Sequence, residues 1–158
     1  MRHQTNIFKV YLTLFFAFIA NLLPWFGQDI VFRPDFVLLV LIFWILRAPQ
    51  LCNIGTAWFA GLLVDLATGG LFGQFALAYT LTAFFAANYQ RRLVLYNIWQ
   101  QTAYVFVLLL LSQFTILVLK LFAGHDIPNW HYFFPCFTSI IVWQIYMIVS
   151  GQHHHNKR

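Results

Sequence analysis

Residues 98–122 read IWQQTAYVFVLLLLSQFTILVLKLF, a run whose sole charge is Lys120. A helix needs about 20 predominantly apolar residues to cross a hydrocarbon core ~30 Å thick. This run is long enough, and it lacks the polar–apolar alternation of a strand with one wet face. It predicts a transmembrane helix. The whole chain has the same character: of 158 residues, 61% are hydrophobic and 8% charged, Phe contributes 19, and Glu is absent. Soluble domains carry about 25% charged residues. A soluble chain of this size could not hide so much apolar surface, whereas in lipid that surface faces outward without cost. Backbone in hydrocarbon must satisfy its own hydrogen bonds, and helices do so within one segment.

Five further apolar stretches flank the first. Tyr132 to Val149 follows it. Before it come Leu71 to Asn88, Ile54 to Thr68, Phe36 to Leu46 with a start as early as Ile30, and Val10 to Phe26. The expected fold is an all-α integral membrane protein. One transmembrane domain over residues 1–158 would hold about six helices, spanning roughly 10–26, 30–46, 54–68, 71–88, 98–122 and 132–149. The second and third stretches are short for a straight crossing, so they are tilted or broken helices among neighbours. The first is long for a signal core and ends in Leu23-Pro24-Trp25 without a small-residue cleavage site, which makes it a retained span. The sequence shows no repeat, flexible linker or second domain.

Cations set the expected topology. With the N-terminus inside, Arg2, Lys9, Arg47, Arg91, Arg92, Lys157 and Arg158 are cytoplasmic, and Arg33 and Lys120 lie outside. Seven against two places both termini in the cytoplasm. Asp29, Asp35 and Asp126 fall in outer segments, and Asp65 near the outer end of its span. Trp25, Trp130 and Tyr132 mark outer edges, and Trp44, Tyr89, Tyr96 and Trp99 inner ones. The net charge of +5 comes from cations scattered between apolar runs, so no nucleic-acid partner is implied. Cys52 and Cys136 fall on opposite sides and cannot pair.

Asp65 is the most informative residue. It interrupts the apolar run Ala60-Gly61-Leu62-Leu63-Val64-Asp65-Leu66-Ala67, and an acid in mid-span costs about 2.5–3.5 kcal/mol on insertion scales. Gly61, Asp65 and Thr68 share one helical face, and Gly69 and Gly70 then end the helix. Asp65 either faces the bundle interior to hold a ligand or partner group, or bonds the open amides of the next helix and pins the turn. Along the fourth span, Gly73, Ala76, Thr80, Ala83 and Ala87 form a stripe of small residues of the kind that draws membrane helices together. Leu109, in the fifth span, is expected to face lipid.

Other polar residues give weaker signals. Asn21, Gln74, Ser112, Gln113 and Gln144 are expected to bond between helices. His125, Asp126 and His131 have metal-capable side chains without ligand spacing, and His153-His154-His155 reads as a solvated tail. Arg33, between Asp29 and Asp35, reads as a recognition patch or as local charge balance. No nucleophile motif, zinc motif, P-loop or paired Glu occurs, so neither an enzyme nor a cofactor or metal is expected.

Two segments carry a family resemblance. Val31-Phe32-Arg33-Pro34-Asp35-Phe36-Val37-Leu38-Leu39 running into Phe43-Trp44-Ile45-Leu46 resembles the rod shape-determining MreD family of Gram-negative bacteria. So does Gly61-Leu62-Leu63-Val64-Asp65-Leu66 followed by Gly69, Gly70 and Gly73. The resemblance implies an inner-membrane, multi-pass scaffold subunit of the machinery that elongates lateral peptidoglycan and sets cell shape. Its implied partners are a bitopic MreC-like protein, MreB filaments, a RodA-type glycosyltransferase and a penicillin-binding transpeptidase. It implies no catalytic residues, and Pro34, Asp35, Gly61, Asp65 and Gly73 are the positions that match its motif. The alternative from another class is a small-molecule-binding subunit of a vitamin transporter, with Asp65 lining the pocket.

Overall fold

Asp35 starts the central helix of the bundle. Its carboxylate accepts the Leu38 amide at 3.2 Å, an N-cap that leaves Phe36–Arg47 to run as α2. In this computed structural model, which describes residues 7–23, 34–69, 73–93, 97–124, 126 and 129–155, the other helices are α1 (Ile7–Leu22), α3 (Ile54–Thr68), α4 (Gln74–Leu93), α5 (Ile98–Phe122) and α6 (Phe134–His155), the last entered through a 3₁₀ turn at Trp130–Phe133. The described residues contain six α-helices and no strand.

A helix that is apolar all round belongs inside, and α2, FVLLVLIFWILR, is the case here. Val37, Leu38, Leu39, Leu41, Ile42, Phe43, Trp44, Ile45 and Leu46 are all buried. α1 meets α2 where the Trp44 indole donates to Thr13 Oγ1 at 2.8 Å. α4 meets it where Gln90 Nε2 donates to the Leu46 carbonyl, and α6 where Trp143 and Tyr146 set their rings edge-on to Phe43. Twelve residues give a helix of about 18 Å, too short to cross the core alone.

The outer surface of the bundle is apolar. Phe8, Phe15 and Phe16 on α1, Trp58, Phe59 and Leu66 on α3, and Phe137, Ile141, Ile145 and Ile148 on α6 are all exposed. Among the described residues, two helical stretches, Ile98–Phe122 and Trp130–Val149, are long and apolar enough to cross a membrane. A soluble protein's core helix would be mostly buried, but only 33% and 17% of these two are.

The helices depart from the apolar runs in ways the backbone explains. α2 begins at Phe36, not Ile30, because Asp35 caps it. α4 begins at Gln74 rather than Leu71, since Gly73 has φ +92°, outside the right-handed helix. It continues past Asn88 to Leu93, with Arg91 and Arg92 in the last turn favourably placed against its dipole. α6 continues past Val149 to His155, and Pro135 occupies its first turn, where a missing N–H costs nothing.

Two sequence expectations need correction. Trp44 is not an interfacial ring: it is buried and bonded to Thr13. Leu109 does not face lipid but lies in the core with Val105, Leu108, Ser112 and Ile116, and it is Val107 and Phe114 that point outward. α5 carries apolar residues on every side, so hydropathy gave little contrast by which to tell its faces.

Candidate functional site: a cavity between two carboxylate clasps

The closest helix contact is made by α3 and α4. A Cβ at Gly61 would lie 2.5 Å from Ala76 Cα and 2.7 Å from the Phe75 carbonyl oxygen, so only glycine fits. One turn further on, the Asp65 carboxylate is buried and accepts three amides of the α4 start, from Gly73, Phe75 and Ala76, each at 3.1 Å. Gly73 has no side chain to cap its own helix, so the cap comes from α3 instead. Gly69 closes α3 in the left-handed region, φ +63°, with its amide on the Asp65 carbonyl. Of the two roles open to Asp65, this geometry is that of the turn pin.

Asp35 makes the second clasp. Besides capping α2, it accepts the Tyr79 hydroxyl from α4 at 2.6 Å and 2.8 Å on its two oxygens. Its own amide donates to Ser139 Oγ of α6 at 3.2 Å. The sequence reading placed Asp35 in an outer segment. The structure joins it to three helices, and the apolar context of Tyr79 and Ser139 offered no hint of the partnership.

Between these clasps lies a cavity of about 550 Å³. All six helices contribute: Asn21 ends α1, Asp35 opens α2, Val64 and Thr68 close α3, and Phe75 opens α4. Gln113, Ile116 and Lys120 come from α5, and His131, Tyr132 and Pro135 from the start of α6. Odd-numbered helices end here and even-numbered ones begin, so successive helices alternate in direction. Arg47, Arg91 and Arg92 lie in the last turns of α2 and α4, at the opposite end. A smaller void beside it is lined by Asp35, Ser112, Gln113 and Ser139.

The other singled-out residues are scattered. Pro34 is buried on the cavity wall. Ala76 and Ala83 are buried and Thr80 half-buried, but Ala87 is exposed, and Ala86 takes the inward place. Gln144 bonds Thr102 across α5 and α6 at 2.9 Å, whereas Gln74 Oε1 is buried without a partner among the described residues. Arg33 and Gly70 lie outside the described residues. Cys52 and Cys136 are free, buried thiols. Among the described residues no three His, Cys, Asp or Glu side chains gather to hold a metal ion. Lys120 is the residue that sequence reasoning undervalued, counting it only as an outer cation, although a lone charge in the longest apolar run was a visible signal.

The chain matches the family model described as rod shape-determining protein MreD over residues 1–151. It belongs to the MreD family. A curated relative, the rod shape-determining protein MreD of Haemophilus influenzae, is 25% identical over 127 residues, covering 80% of this chain and 78% of that one. No solved structure matches the chain. Membership of the MreD family gives the chain a rod shape-determining role as a helical membrane protein, and makes it a member of a structural rather than an enzymatic family.

Proposed function

We propose that this chain is a six-span, multi-pass scaffold of the bacterial inner membrane with both termini in the cytoplasm. It holds an MreC-like bitopic partner and so couples MreB filaments to lateral peptidoglycan synthesis by a RodA-type glycosyltransferase and a penicillin-binding transpeptidase. The observation that carries this reading is the cavity. Gly61 is closed by Ala76 of α4, and Ala76 and Ala83 are buried within the chain, so they leave no free surface for a foreign helix. The cavity is a concave space to which all six helices contribute. Its position at the end opposite Arg47, Arg91 and Arg92 supports an outer, periplasmic location by the positive-inside rule. There a partner's chain would leave the membrane and meet it.

A second reading has one observation in its favour: about 550 Å³ also suits a small molecule, since ligand pockets run ≈ 300–1,000 Å³. Depletion in a rod-shaped host separates the two. Rounding of the cells, rescued by wild type and by Val107→Trp on the exposed face of α5 but not by Ile116→Trp in the cavity wall, is the expected result. Cells that stay rod-shaped but lose uptake of a vitamin would support the transporter reading instead.

A further inference from the structure

Among the described lining residues the cavity holds one carboxylate and one cation, and the two are not paired with each other. Its carboxylate, Asp35, is already engaged by the Tyr79 hydroxyl and the Leu38 amide. Its cation, Lys120, is half-buried on α5 and forms no ion pair among the described residues. The ammonium lies over the Tyr132 ring at 5.2 Å, a contact that orients it but supplies no counter-charge. His131, at the start of α6, adds a second donor to the same wall. A half-buried cation beside an apolar wall gains from an anion that joins it.

We infer that the cavity receives an acidic side chain from the membrane-proximal segment of the single-span partner, with Lys120 as its counter-charge. This rests on the scaffold reading above. The scaffold reading favours a protein carboxylate over a lipid phosphate. Residues of all six helices line the space, at the end that a partner's chain segment would pass as it leaves the membrane in the proposed orientation. Lys120 thereby becomes a specificity residue: apolar contact with Ile116 and Phe75 is open to many segments, and the charge selects among them.

The test uses the full-length chain co-expressed with the MreC-like protein of the same host and purified in detergent. The partner's retention is compared for wild type, Lys120→Gln and Lys120→Arg. Lys120→Gln should lower retention on the order of tenfold or more, and Lys120→Arg should keep most of it. Neutralising the acids of the partner's outer membrane-proximal segment one at a time should reveal one substitution with the same effect. Reversing both charges, Lys120→Glu with that acid→Lys, should restore binding, which a folding defect would not allow. Full retention by Lys120→Gln, with wild type binding normally, overturns the inference and leaves the scaffold reading standing. No retention even by wild type overturns the scaffold reading itself. If Lys120→Gln keeps the partner but loses co-purifying phospholipid phosphorus, the charge serves a lipid and the inference fails.

Discussion

Asp65 spends both carboxylate oxygens on amides of another helix. Hydrogen bonds to a charged acceptor contribute about 1.5–3 kcal/mol each, and stranding the donors adds their desolvation cost. Asp65→Leu, which keeps the forked shape but leaves three amides open, should therefore lose on the order of 3 kcal/mol or more. Asp65→Asn, which retains an acceptor oxygen, should lose less. Thermal unfolding of the detergent-solubilised protein reads the difference, and equal midpoints for the two variants would contradict the clasp. The sequence pointed to Asp65 because an acid in an apolar run has few tolerable fates. It could not choose between ligand and turn pin, since the amides lie across a turn whose path local spacing does not encode. Asp35 was legible within a motif, yet its bond to Tyr79 joins residues 44 positions apart and left no periodic trace.

Helices themselves were the most readable objects, because each apolar run is a long, uninterrupted signal. Their ends were less so, for a cap such as Asp35 or a positive-φ Gly73 overrides hydropathy within a residue. Which face each helix turns inward was hardest to read. On α4 the small residues marked the contact with α3 at Ala76, but α2 and α5 also lie against this helix and widen its buried arc to Tyr79, Thr82, Ala83 and Ala86. The α3–α4 approach gives a graded expectation. Gly61→Ala should cost about 1–3 kcal/mol by overpacking, and Gly61→Leu more. Ala83→Phe belongs with them. Val107→Phe, on the exposed side of α5, should stay within about 0.5 kcal/mol. Denaturation in mixed micelles ranks them, and indifference at Gly61 would mean that the backbones separate more readily than their spacing implies.

For the molecule as a whole, composition alone pointed to a membrane and to helices, since 61% hydrophobic residues leave few other solutions. Composition has no bearing on the cavity, which is assembled from six helix ends. The proposed orientation puts that cavity outside, and cysteine labelling in intact cells tests it. On a cysteine-free background, Trp130→Cys, at a position 92% exposed, should react with a membrane-impermeant maleimide. Arg92→Cys should react only after permeabilisation, and the reverse pattern would invert the protein.

The Asp65 clasp also bears on how the chain enters its membrane. Alone in hydrocarbon, α3 would carry an unpartnered carboxylate, and α4 would present bare amides at its N-terminus. Each is a costly passenger. Folded back on one another, they cancel both costs at once. The two helices should therefore leave the insertion machinery together as a closed hairpin, and α2, short and apolar on every side, should settle into its central place only once that hairpin offers it a wall.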